Sequence, residues 1–191
     1  MLKYTSTQIT FSEIPDEIAL CINLSNCPCH CKNCHSSYLA EDIGEILTYS
    51  KIEKLIEDNK GITTICFMGG DNDPKLVNRY AKLIKTYYNS KISADLLDKI
   101  TTLAKSKILN SELNLIQLKS SVPIIKVAWY SGREKLSEYT NINNFDFIKL
   151  GPYKEEYGPL DSKTTNQRLF KIVKGKLEDI TYKLWKNEIK D

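Results

Sequence analysis

The chain is poor in histidine, methionine and tryptophan, with only two of each among 191 residues. It also lacks a long apolar run. Nothing approaches the ~18 consecutive apolar residues of a membrane-spanning helix. Residues 1–15 are mixed polar, without the apolar core of a secretory leader, so no targeting segment is expected there. Charge of one sign is missing as well. The net +3 is scattered along the chain, which argues against nucleic acid and membrane surfaces as partners. No internal repeat or low-complexity segment appears. What remains is the expectation of a cytoplasmic, single-domain globular protein covering 1–191. Its 41% apolar and 27% charged residues are ordinary for one, and the length suffices to bury a core.

Cysteine is scarce too, at six residues, but four of them lie within the eight residues Cys27-Pro28-Cys29-His30-Cys31-Lys32-Asn33-Cys34. Both histidines, His30 and His35, sit among them. In a reducing compartment, clustered thiols point to metal or catalysis more often than to disulfides. Thiolates are soft donors that select zinc, copper(I) or iron–sulfur centres. The Cys-x3-Cys-x2-Cys spacing of Cys27, Cys31 and Cys34 puts three sulfurs around one loop. Three sulfurs so placed are able to hold three corners of a 4Fe-4S cube, and a fourth iron without a protein thiolate would be free to bind a ligand. Cys29, at an alternate position, is expected to be a non-ligand. Two other readings stand beside this one. A structural zinc site would use Cys27, Cys31, Cys34 and either His30 or His35, but such sites usually bring two ligand pairs from separated segments, and no second pair occurs downstream. A redox dithiol at Cys31-Lys32-Asn33-Cys34 would leave Cys27 unexplained. Cys21 and Cys66 fall inside apolar runs and read as small core residues.

Apolar runs mark the scaffold. Residues 3–14 read as an edge strand or hairpin arm. Residues 17–24, 62–68, 124–130 and 145–150 are short and nearly all apolar, as expected of strands covered on both faces in a parallel sheet. Between them, Ile52, Leu55 and Ile56 give a helical stripe that Thr48 or Ser50 would cap. A second helix starts near Pro74, with Leu76, Val77, Tyr80, Leu83 and Ile84 on its apolar face. A short helix is expected around Arg133–Glu138, and residues 89–121 read as an extra amphipathic helix or helix pair. The alternation predicts an α/β fold of mostly parallel strands joined by right-handed crossovers. In such folds ligands sit outside the carboxyl ends of the strands, and the cysteine stretch follows one of those ends directly.

These residues resemble a known family. The Cys-x3-Cys-x2-Cys loop after the first inner strand, followed by Gly69-Gly70-Asp71 after the second, is similar to the radical S-adenosylmethionine superfamily. Cys31-Lys32-Asn33-Cys34-His35-Ser36, Val127-Ala128-Trp129-Tyr130-Ser131-Gly132, Gly151-Pro152-Tyr153 and Thr165-Asn166-Gln167-Arg168 resemble the activating proteins of anaerobic ribonucleoside-triphosphate reductases. The chain departs from the superfamily pattern at Asn33, where an aromatic is usual before the third cysteine, and at Asp71, where glutamate is usual.

The resemblance implies a partial (β/α) barrel with a helical insertion at about 89–121. It implies that Cys27, Cys31 and Cys34 hold a 4Fe-4S cluster whose open iron chelates S-adenosylmethionine. Reductive cleavage of that cofactor would give a 5′-deoxyadenosyl radical, and the radical would abstract hydrogen from a glycine of the large reductase subunit. Gly69 and Gly70 would let the backbone approach the methionyl group, Asp71 would accept from its ammonium, and Ser131 would lie near the cofactor or simply turn the strand end with Gly132. Lys149 reads equally as a cofactor contact or a solvated lysine. Asn166-Gln167-Arg168 fits a cofactor, a partner or a local turn. The implied partners are the large reductase subunit and a one-electron donor such as flavodoxin or ferredoxin. Alternatives are activation of another glycyl-radical enzyme, a small-molecule radical reaction, or a non-catalytic zinc-binding or thiol-sensing adaptor.

Overall fold

A computed structural model describes residues 1–91, 94, 95, 98, 102 and 124–186. Eight strands form one sheet: β1 (Lys3–Thr10), β2 (Ala19–Leu24), β3 (Glu45–Ile46), β4 (Thr64–Met68), β5 (Lys126–Tyr130), β6 (Phe147–Leu150), β7 (Arg168–Val173) and β8 (Lys176–Asp179). Their spatial order is β3-β1-β2-β4-β5-β6-β7-β8. The middle four, β2, β4, β5 and β6, are parallel, and the strands on either side are antiparallel to their neighbours. The four apolar runs therefore are the parallel strands. β1 is an outer strand over most of its length, because β3 pairs only with its Lys3 and Tyr4.

Among the described residues, two α-helices connect the parallel strands. Helix α1 (Tyr49–Asp58) begins at Thr48, whose hydroxyl accepts from the Lys51 amide at 3.2 Å. Helix α2 (Pro74–Leu83) begins at Asp73, whose carboxylate caps the Leu76 amide at 3.1 Å, with proline in its first turn. It runs on through a wider turn at Ile84–Tyr88. Parallel neighbours that follow one another in sequence, joined by right-handed crossovers, put both helices on one face of the sheet. The packing agrees: Ile52 and Ile56 of α1 and Val77, Tyr80 and Ala81 of α2 share one cluster with Leu20, Ile22, Ile65, Phe67, Val127, Trp129 and Ile148.

The opposite face carries smaller residues. Ala19, Cys21, Cys66 and Ala128 point there, beneath Ile14 from the loop after β1 and Ile180 from the segment after β8. Toward the carboxyl ends of the strands the same face carries Asn23, Met68, Tyr130 and Lys149. At the other end Glu17, only 7% exposed, accepts from the hydroxyls of Thr63 (2.6 Å) and Thr64 (3.0 Å) and pairs with Lys126.

The helix expected at 133–138 does not form. Its first residue spends its backbone elsewhere: the Arg133 amide donates to Ser131 Oγ at 3.1 Å and its carbonyl accepts from Gly151 at 2.8 Å. The expected 89–121 helix lies almost wholly outside the described residues; Asn89, Ser90 and Lys91 continue the helical path from α2. No helix among the described residues is long and apolar enough to cross a membrane.

Candidate functional site

The cysteine loop leaves the carboxyl end of β2 and is held from both sides. The Asn26 amide donates to Glu41 O and the Cys27 amide to Leu39 O, each at 2.9 Å, and the Cys34 amide closes a turn on Cys31 O at 3.2 Å. Asn26, His30 and Asn33 adopt left-handed backbone, with φ of 59°, 44° and 55°. Three reversals in eight residues coil the chain tightly, and asparagine tolerates such conformations better than most residues. The Asn33 side chain also donates to Glu155 Oε2 at 2.7 Å, tying the loop to the segment after β6.

The coil brings Cys27, Cys31 and Cys34 onto one small pocket of about 240 Å³, with His30 and Ser36 at its wall. All three thiols are half-buried, and both histidines are exposed. Among the described residues no three His, Cys, Asp or Glu side chains converge as ligands of a single ion do. A cube makes a different demand, because each thiolate binds a separate iron. Three soft donors around one pocket of this size, all on one loop, fit a 4Fe-4S cluster held at three corners.

The same thiols border a larger cleft of about 570 Å³ that runs over the open face of the sheet. Sheet register explains its floor. Asn23, Met68, Tyr130 and Lys149 are successive partners across β2, β4, β5 and β6, and all four line the cleft. Glu13 enters from the loop after β1, and its carbonyl accepts the Tyr130 hydroxyl. Tyr153, Leu160 and Gln167 form the far wall.

Electrostatics differ along this cleft. Cys27 is drawn down to about 6, mainly by a hydrogen bond from the Cys29 thiol, against the opposing effect of burial. Cys29 moves up, because its one S–H is shared between Cys27 and Asp71 Oδ2 and because burial and the Asp71 charge both disfavour its anion. Cys27 is thus poised as a thiolate and Cys29 as a thiol. Lys149 is 8% exposed; burial holds it down to about 8 although Asp71 and the neighbouring cysteines favour its charge. Its ammonium donates to Gly151 O at 2.8 Å and Ser131 O at 3.3 Å. Burial pushes Glu13 up.

Of the four residues expected to contact S-adenosylmethionine, Gly69 lines the cleft; Gly70, Asp71 and Ser131 do not. Gly69 and Gly70 have φ of +96° and +88°, and a Cβ on Gly70 would come within 2.8 Å of both Val77 and Leu24. The fold alone thus demands glycine at Gly70. Trp129 fixes this turn, its indole N–H donating to Gly69 O at 2.7 Å while its ring stacks on Phe145 at 5.8 Å. Asp71 and Ser131 are buried and bonded to each other at 2.6 Å.

Alternation along the chain divides Asn166-Gln167-Arg168. Gln167 faces the cleft, whereas Asn166 and Arg168 line a separate pocket of about 260 Å³. Lys149 proves to be a buried cleft residue. Its lone charge in the apolar run Phe147-Ile148-Lys149-Leu150 was the available signal. Nothing in the local pattern marks Glu13. Comparison with protein-family models, curated proteins and solved structures finds no match to this chain.

Proposed function

We propose that the chain is a radical S-adenosylmethionine enzyme with a partial (β/α) barrel scaffold, and that it generates a glycyl radical on the large subunit of an anaerobic ribonucleoside-triphosphate reductase. The observation that carries this reading is three half-buried thiols on one loop, around one pocket, at the carboxyl ends of four parallel strands and opening onto a 570 Å³ cleft. Cys27, Cys31 and Cys34 would hold the cluster, and the cleft beside Met68 and Gly69 would take S-adenosylmethionine. Bound there, the two cofactors would supply one-electron cleavage of a carbon–sulfur bond, the chemistry that hydrogen abstraction from a glycine requires.

The protein's share is binding and enclosure. The lowered proton affinity of Cys27 prepares it as a ligand at neutral pH. Gly69 lets a ligand approach the backbone with no Cβ between. Lys149 presents a desolvated cation to the cleft and Glu13 a carboxyl group, which suits a zwitterionic ligand. Met68, Tyr130 and Leu160 give apolar walls that keep water from a reactive species. Electrons would come from a flavodoxin or ferredoxin.

The test is anaerobic reconstitution of the wild type and of Cys27→Ala, Cys31→Ala, Cys34→Ala and Cys29→Ala. The wild type is expected to bind about four irons per chain, one cube, and to cleave S-adenosylmethionine. The first three variants lose cleavage and Cys29→Ala retains it. One tightly bound zinc and a colourless protein would overturn the reading in favour of an adaptor. A glycyl radical seen by electron paramagnetic resonance on the candidate reductase chain identifies the partner; cleavage without that signal points to another glycyl-radical enzyme or a small molecule.

A further inference from the structure

Asp71 is the most heavily bonded side chain beside the cysteine loop, yet it does not line the cleft. It is 2% exposed. Its Oδ1 accepts from the Ser131 hydroxyl at 2.6 Å, and its Oδ2 accepts from the Gly132 amide at 2.8 Å and from the Cys29 thiol at 3.8 Å. The Asp71 carbonyl takes a further bond from the Arg133 guanidinium at 3.3 Å. One carboxylate therefore joins three segments: the turn after β4, the turn after β5 and the cysteine loop after β2.

The fit around this junction is close. A Cβ built on Gly132 would lie 2.6 Å from Cys29 Sγ, so the absence of a side chain there is what lets Cys29 reach the carboxylate. A glutamate at position 71, one methylene longer, would carry its carboxylate past Ser131 and Gly132. A carboxylate offers about four acceptor positions, and three are taken by the protein itself.

We infer that Asp71 is a positioning residue: through Cys29 it fastens the cysteine loop to the ends of β4 and β5, and so fixes where Cys27, Cys31 and Cys34 stand, instead of contacting a cofactor. The clamp is a property of the chain alone; its consequence for iron rests on the iron–sulfur reading above. Cys29 acquires a role in this way. It sits among the ligands as the loop's fastener.

The first measurement uses the full metal-free chain, with amide hydrogen exchange read over residues 27–34. Asp71→Asn and Cys29→Ala are expected each to speed exchange there about tenfold, the scale of losing one hydrogen bond to a charged group. The double variant should fall well short of the product of the two single effects, since both break the Cys29–Asp71 contact although each also breaks bonds of its own. The second measurement follows iron loss to a chelator after reconstitution, together with the dissociation constant for S-adenosylmethionine. Iron loss should quicken about tenfold in Asp71→Asn and Cys29→Ala, with the dissociation constant held within about twofold. Weakened binding of S-adenosylmethionine in Asp71→Asn, with exchange and iron loss unchanged, would overturn the inference. So would unchanged exchange in Cys29→Ala. If Asp71→Asn fails to fold, the exchange rate in Cys29→Ala decides. A wild-type chain that takes up no iron removes the proposed function and leaves the exchange measurement to judge the clamp.

Discussion

Replacing Lys149 with methionine should change how stability depends on pH far more than stability at neutral pH. Burial holds Lys149 at about 8 against an ordinary 10.5. At ~1.4 kcal/mol per tenfold in proton affinity, that displacement corresponds to about 3 kcal/mol. Below pH 8 both folded and unfolded chains carry the proton, and the folded chain bears the full cost of the buried charge. Between pH 8 and 10.5 the unfolded chain keeps the proton and the folded chain releases it, so stability rises with pH across that window. Above 10.5 the cost is gone. Lys149→Met removes the charge but leaves the Ser131 and Gly151 carbonyls without their donor, at about 1–3 kcal/mol each when buried. Near pH 7 the gain and the loss roughly offset. Urea unfolding of the metal-free wild type and variant at pH 7, 8, 9 and 10 separates them. Subtraction cancels the titrating groups that do not interact with Lys149, and repeating the pair in a background with Cys29, Cys31 and Cys34 replaced by alanine removes the coupled thiols. The wild type should gain about 2–3 kcal/mol on the variant by pH 10. A constant difference across the series, or one sloping the other way, would refute the account of Lys149 as a desolvated cation.

Gly132→Ala should loosen the cysteine loop without straining its own backbone, because the new Cβ meets Cys29 Sγ at 2.6 Å. Cys29 is then expected to alkylate several-fold faster in the metal-free protein, and an unchanged rate would mean the loop accommodates the methyl elsewhere. Trp129→Phe removes the indole donor from Gly69 O while keeping an aromatic ring against Phe145. Stability should fall by about 1–3 kcal/mol in urea titrations, with faster amide exchange at Gly69 and Gly70; slow exchange there would show that the turn holds without tryptophan.

The parallel strands were legible in the sequence because burial on both faces writes itself as an unbroken apolar run, as in Ala19–Leu24 and Thr64–Met68. Helices α1 and α2 were legible from stripes that begin at a capping threonine and an Asp-Pro pair. The two-residue β3 was not, since its pairing rests on the chain returning to Lys3 and Tyr4, with Tyr4 Oη donating to Glu45 at 3.1 Å. The helix expected at 133–138 failed for a tertiary reason: Ser131, Gly151 and Asp71 occupy the groups of Arg133. At the site, the three cysteines and their place after a strand were visible in their spacing. The pairing of Asp71 with Ser131 and Cys29 was not, because these residues lie 60 and 42 positions apart and meet only when the strand ends are side by side. Lys149 showed its type and its strand; only the packing showed its burial.

The face of the sheet that carries the cleft is covered beside it from both ends of the described chain. Ile14, before β2, and Ile180 and Leu184, after β8, cover the same patch of the sheet, and Lys183 reaches Asp16 at 3.2 Å, 167 positions away. A ribosome adding about 5–20 residues per second needs roughly 10–30 s to travel that distance. During that interval the four clustered thiols are outside and the packing beside the cleft they border is unfinished. Whatever the cleft is to hold can therefore bind only late in the making of each molecule, once the segment after β8 has arrived to complete that face of the sheet.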